Sequence, residues 1–209
     1  MLKQALLENG LIAILRGLRP EEAPAIGDVL YEAGFRVIEV PLNSPQPYDS
    51  IRLLRQSLPA DCLIGAGTVM TPEQVLQVKE AGGQVIVMPH SDPKVLRAAK
   101  QAGMFLTPGV ATPTEAFAAL AEGADVLKLF PAEQMSPAVV KAWLAVLPIG
   151  TALVPVGGIT PDNMKVFLDA GVKGFGLGSG LYKPGMSATE VAERAHAYVN
   201  AWKQLTERF

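Results

Sequence analysis

Short apolar runs recur along this chain with about 20 to 27 residues from one start to the next, and that rhythm constrains its fold more than any other feature. The runs begin near Leu11, Arg36, Cys62, Gln84, Met104, Asp125, Ala152 and Lys173. Each gap holds a helix-like segment with a recognisable start. Thr71-Pro72-Glu73, Ser91-Asp92-Pro93, Thr112-Pro113-Thr114-Glu115, Ser136-Pro137 and Thr160-Pro161-Asp162 each put a capping residue before proline or acid in the first turn. Ala33-Gly34, Ala81-Gly82, Ala102-Gly103, Glu122-Gly123 and Ala170-Gly171 repeat one helix stop ahead of the next strand.

Strands that are apolar on both faces and alternate with helices predict an α/β fold with a parallel sheet. Eight such units close naturally into a (β/α)8 TIM barrel, whereas an open flavodoxin-like sheet needs about five. The expectation is therefore one barrel domain over residues 1–209, preceded by a short amphipathic helix within Met1–Gly10 and closed by a helix within Ala188–Phe209. In such barrels chemistry gathers at the carboxyl ends of the strands.

Composition narrows the function. Hydrophobic residues are 49% of the chain and mean hydropathy is +0.26, yet no run approaches the roughly 18 apolar residues of a membrane helix, so the apolar excess belongs in a core. A net charge of -2 without Lys or Arg clusters gives no footprint for nucleic acid or an anionic membrane. Cys62 is the only cysteine and the N-terminus lacks a signal-peptide pattern, which fits a reducing cytoplasm. Small-molecule chemistry is the remaining expectation.

Lys128, in Val126-Leu127-Lys128-Leu129-Phe130-Pro131, sits inside a strand-like run where an ammonium loses its hydration. Desolvation lowers an amine's pKa, and a free-base lysine attacks carbonyl carbon to form a Schiff base; a buried ion pair is the alternative. Glu39 lies within Val37-Ile38-Glu39-Val40-Pro41, and period two lets both charges face one interior. Arg16 ends the first run, where its guanidinium can grip a carboxylate or phosphate. Gly65-Ala66-Gly67-Thr68 brings bare backbone and a hydroxyl to the third strand end, as if a ligand approaches the main chain there.

Val156-Gly157-Gly158 and Gly176-Leu177-Gly178-Ser179-Gly180 close the last two strands, the common phosphate position of barrels. His196 belongs to the closing helix pattern. His90 follows a strand end, but one histidine without partner ligands makes no divalent metal site, so neither metal nor cofactor is expected.

The motifs Ile14-Leu15-Arg16-Gly17, Ile38-Glu39-Val40-Pro41-Leu42-Asn43-Ser44-Pro45, Ile64-Gly65-Ala66-Gly67-Thr68-Val69, Leu127-Lys128-Leu129-Phe130-Pro131-Ala132, Pro155-Val156-Gly157-Gly158-Ile159 and Gly178-Ser179 together resemble the family of 2-keto-3-deoxy-6-phosphogluconate and 2-keto-3-deoxy-6-phosphogalactonate aldolases. The resemblance runs over essentially the whole chain. It implies a class I pyruvate aldolase, commonly a homotrimer, that cleaves a phosphorylated 2-keto-3-deoxy sugar acid to pyruvate and D-glyceraldehyde 3-phosphate. By the same resemblance Lys128 forms the Schiff base and Glu39 is the general acid/base acting through water. Arg16 and Thr68 hold the pyruvoyl carboxylate, Pro89 and Phe130 shape the pocket, and Gly157, Gly158, Gly178 and Ser179 bind phosphate.

Gluconate-type members resemble one another in Leu-Arg-Thr after the second strand and Pro-Thr-Gly-Gly at the seventh. Leu42-Asn43-Ser44 and Pro155-Val156-Gly157-Gly158 stand here instead and resemble the galactonate branch. The two substrates differ in configuration at carbon 4, so Val156 in place of a threonine hydroxyl bears on that choice. His90 departs from the smaller or amide residue of the family, which leaves its role open. The competing readings are the carbon 4 epimer as substrate, a phosphate-binding barrel isomerase or synthase, which needs no Schiff-base lysine, and a non-catalytic phosphosugar sensor.

Overall fold

The computed structural model describes residues 9–206. The expected helix near the N-terminus falls largely outside that range. Parallel strands β1 (Leu11–Ile14), β2 (Val37–Pro41), β3 (Leu63–Gly67), β4 (Val85–Val87) and β5 (Phe105–Thr107) pair in chain order, with β9 (Phe175–Leu177) on the far side of β1. A second parallel sheet holds β6 (Gly109–Val110), β7 (Leu127–Leu129) and β8 (Leu153–Pro155). The helices α1 (Ala23–Ala33), α2 (Pro47–Ser57), α3 (Pro72–Glu80), α4 (Pro93–Gln101), α5 (Pro113–Ala121), α6 (Pro137–Leu144), α7 (Met164–Leu168) and α8 (Ala188–Thr206) alternate with them.

The expected count of eight strands is corrected to nine among the described residues. The fifth run is interrupted at Pro108, which has no N–H for the ladder. Its two halves serve different sheets. The Met88 amide donates to Thr107 O (3.1 Å), whereas the Lys128 amide donates to Pro108 O (2.9 Å). Between the other ends of the two sheets run a single parallel bridge, Val156 with Gly176, and the bond from Lys173 N to Leu153 O (3.0 Å).

The helix signals operate much as their chemistry requires. Thr71 and Thr112 form capping boxes with Gln74 and Glu115, and Asp92 and Ser136 accept first-turn amides. At Gly82 (φ 90°) and Gly103 (φ 73°) the chain turns left-handed after a helix, a conformation costly for any side chain. The seventh helix differs from expectation. Thr160-Pro161-Asp162 does not start it; the Thr160 amide donates to Asn163 Oδ1 (3.0 Å), and α7 begins at Met164.

Both faces of the strands are buried, by different partners. Leu11, Ala13, Leu15, Ile38, Val40, Ile64, Ile86 and Leu106 pack with the helices in the larger apolar cluster. Ile12, Ile14, Val37, Leu63, Val85, Val87, Val126 and Val154 form a second cluster on the opposite face, with Phe105 and Phe130 against it. Alternation along β2 and β7 assigns Glu39 and Lys128 to this second face. Cys62 is fully buried, its thiol pushed up to about 12 by burial. Phe175, also fully buried, meets Trp202 of α8 edge-on at 6.2 Å between ring centroids. Phe175→Ala is expected to cost about 3–5 kcal/mol, read as a lower denaturation midpoint in urea.

Candidate active site

The carboxyl ends of β1, β7, β8 and β9 surround one cavity of about 500 Å3. Of the residues singled out above, Arg16, Lys128, Phe130, Val156, Gly157, Gly158, Gly178 and Ser179 line it. Glu39, Thr68 and Pro89 do not. Glu39 is 1% exposed beneath the rim, Pro89 is half-buried just after β4, and Thr68 follows β3 in the left-handed region (φ 55°). His90 turns its Nδ1 into the protein without a partner, and its carbonyl accepts the Gly109 amide (3.1 Å).

Lys128 is 6% exposed and its pKa lies below the usual lysine range because burial disfavours the ammonium, with Arg16 adding repulsion and Glu39 opposing. Its Nζ stands 4.9 Å from the centre of the Phe130 ring. Glu39 is raised to about 7 by burial, against the attraction of Lys128 and Arg16 and the amide of Gly67. Among the described residues no ion pair joins Glu39 to Lys128, and Glu39 Oε2 has no hydrogen-bond partner. The two charges feel each other across a gap.

Bare backbone at the third strand end has an internal cause: a side chain on Gly67 would collide with the Glu39 carboxyl. The first and second strand ends are tied together above it. Arg16 Nη1 donates to Asn43 Oδ1 (3.1 Å) and the Gly17 amide to Ser44 Oγ (2.9 Å), so the residues of the galactonate-like motif steady the guanidinium.

The glycine loops divide into two kinds. Gly157 (φ 113°) and Gly158 (φ 64°) carry the Glu133 carboxylate against them, whereas a side chain on Gly178 would meet nothing within 4 Å. Glu133 lines the cavity and was not singled out in the sequence. Its position in the turn Ala132–Gln134, five residues after Lys128, is the signal that marks it, since any polar group just past a strand end faces this rim. Tyr182 and Lys183 enter from the loop after β9 and were likewise missed.

Residues 2–197 match the family model described as KDPG and KHG aldolase. The chain belongs to that family of aldolases. A probable 2-dehydro-3-deoxy-6-phosphogalactonate aldolase of Rhizobium meliloti (strain 1021) is 50% identical over 196 residues, 94% of this chain and 92% of the relative. A solved structure titled as native KDPGal superposes with a TM-score of 0.92 at 46% identity, covering 94% of this chain and 96% of the other. A KDPG aldolase from Legionella pneumophila, solved with pyruvate captured as a covalent carbinolamine, matches with a TM-score of 0.80 at 27% identity over 98% of each chain. Family members are carbon–carbon lyases, and the aldolase reading stands over the isomerase, synthase and sensor readings.

The Glu39 environment carries a sign that can be measured. A carboxyl held at about 7 when folded and near its usual 4.5 when unfolded binds its proton more tightly in the native state. Stability from this group is present at acid pH and declines as pH rises from about 4.5 through 7. Glu39→Gln is expected to remove that decline, on the order of 3 kcal/mol, in denaturant titrations compared at pH 4 and 8.

Proposed function

We propose that the chain is a class I aldolase that cleaves 2-dehydro-3-deoxy-6-phospho-D-galactonate to pyruvate and D-glyceraldehyde 3-phosphate on one (β/α)8 barrel. The observation that carries this reading is the pair of buried charges at the base of the cavity, Lys128 and Glu39, each shifted toward its neutral form and not in contact.

In the proposed mechanism the Lys128 amine adds to the carbon 2 ketone and the carbinolamine loses water to give a protonated imine. Glu39, through a water in the gap, takes the proton from the carbon 4 hydroxyl. The electrons of the breaking bond between carbons 3 and 4 move toward the imine nitrogen, leaving an enamine and releasing the aldehyde. The same carboxyl returns its proton to carbon 3, and water hydrolyses the pyruvate imine to free Lys128. Arg16 grips the carboxylate and Phe130 walls the three-carbon unit from the cavity lining, and Thr68 and Pro89 are assigned to the same two tasks by the family resemblance, from outside the described cavity.

Gly157, Gly158, Gly178 and Ser179 take the phosphate in this reading. Open space beside Gly178, and amides of Gly158, Ile159, Ser179 and Gly180 that find no hydrogen-bond partner among the described residues, support that assignment. The Val156–Gly176 bridge and the continuity of β5 into β6 support a closed barrel. The exposed apolar side chains Met70, Leu76, Phe117 and Val139 offer surface for self-association, the homotrimer itself resting on the family resemblance, and a buried free cysteine suits a cytoplasmic location. The substrate-level choice rests on Val156, on Asn43-Ser44 and on the likeness to the Rhizobium protein.

Two measurements test the proposal. Borohydride with pyruvate is expected to fix a covalent adduct on the parent protein and none on Lys128→Ala; an adduct on another lysine overturns the assignment. Cleavage of the two carbon 4 epimers, followed through pyruvate by lactate dehydrogenase, is expected to favour the galactonate compound about tenfold or more. Equal rates overturn the substrate choice and leave the lysine chemistry standing.

A further inference from the structure

The two loops assigned to phosphate share a support behind the cavity wall. Tyr198, on α8 and 3% exposed, donates its hydroxyl to Ile159 O at 2.8 Å in the loop after β8. The same hydroxyl lies against Gly180 in the loop after β9, so close that a side chain there would collide with it. One turn earlier on the helix, Arg194 Nη1 donates to Ser179 O (3.4 Å) and Gly180 O (3.2 Å). Asn163 Nδ2 holds Gly158 O at 2.8 Å.

The carbonyls of Gly158, Ile159, Ser179 and Gly180 are therefore engaged, three of them by α8, while none of the four amides finds a hydrogen-bond partner among the described residues. A peptide group is rigid, so holding Gly158 O and Ser179 O fixes the direction of the Ile159 and Gly180 amides, while the bonds to Ile159 O and Gly180 O anchor each loop just beyond them. An anion cup needs several amides aimed at one point, and small rotations of either loop would scatter them.

We propose that Tyr198 and Arg194 are positioning residues for phosphate: α8 presents one hydroxyl and one guanidinium that lock the two anion loops in mutual register. This rests on the aldolase reading for the identity of the ligand, and on the hydrogen bonds alone for the cup. Neither side chain lines the cavity. Gly180 is a consequence of the same device, since its missing side chain admits the tyrosine hydroxyl between the loops.

Tyr198→Phe removes the hydroxyl and keeps the ring in the core; Arg194→Met removes the guanidinium of a half-buried side chain and keeps its aliphatic stem. Loss of one buried hydrogen bond predicts a roughly three- to tenfold rise in KM for the phosphorylated sugar acid and in the inhibition constant of inorganic phosphate. The pyruvate concentration that half-saturates borohydride trapping, which involves no phosphate, is expected to shift less than twofold. Unchanged phosphate inhibition in both variants overturns the proposal, as does an equal rise in the pyruvate constant, which would mark general loosening of the fold. Calorimetric titration with inorganic phosphate gives the same comparison without turnover. A parent protein that binds phosphate but traps no pyruvate would sink the aldolase reading and leave the positioning role intact.

Discussion

Two opposite charges buried in one interior without touching set the terms for the rest of this structure. Glu39 and Lys128 have each lost most of their hydration, and a direct ion pair would offset that loss by restoring both to their charged forms. Separation withholds the compensation. Each group is shifted toward its neutral form, the direction that favours attack of an amine on a carbonyl and lets a carboxyl both take and give a proton. The cost appears as stability, carried by apolar clusters on the two faces of the strands.

Neighbouring residues follow from that arrangement. Gly67 lacks a side chain because the Glu39 carboxyl leans over it. Phe130 supplies a ring face to the lysine amine, a surface that tolerates both protonation states. Arg16 adds a second positive charge that lowers the carboxyl and repels the ammonium, and Asn43 ties that guanidinium to the second strand end. A carboxylate entering this cavity meets cations on one side, and the apolar contact of Val156 marks the way to the glycine loops.

How far the sequence reveals this depends on whether the decisive forces are local. Strand rhythm, capping boxes and helix-ending glycines are local, and four of the five signalled helix starts fall where those signals put them. The break at Pro108 was visible as a residue but not as a division between sheets, because the two halves are sorted by which neighbouring strand supplies the partner amide. The delayed start of α7 is local instead: Thr160 and Asn163 bond to each other in a turn ahead of the helix. Lys128 and Glu39 stand out because charge within apolar strands is rare. Glu133 and Tyr182 do not, because an acid or a tyrosine in a loop resembles surface until the loop is seen folding over the cavity.

Position alone did not separate the residues at strand ends either. Thr68 and Pro89 occupy ends equivalent to those of Lys128 and Arg16, yet they lie off the described cavity, toward β3 and β4. The opening is asymmetric, spanning β7, β8, β9 and β1, because the loops after β8 and β9 are built from glycines that leave room, whereas Pro89 and the backbone of Gly109 pack tightly against each other. In the proposed reading an elongated anionic substrate takes one course, from the lysine toward the glycine loops. The carboxylate of Glu133 lies along that course, and its contact with Gly157 and Gly158 makes it a group the substrate must either displace or engage.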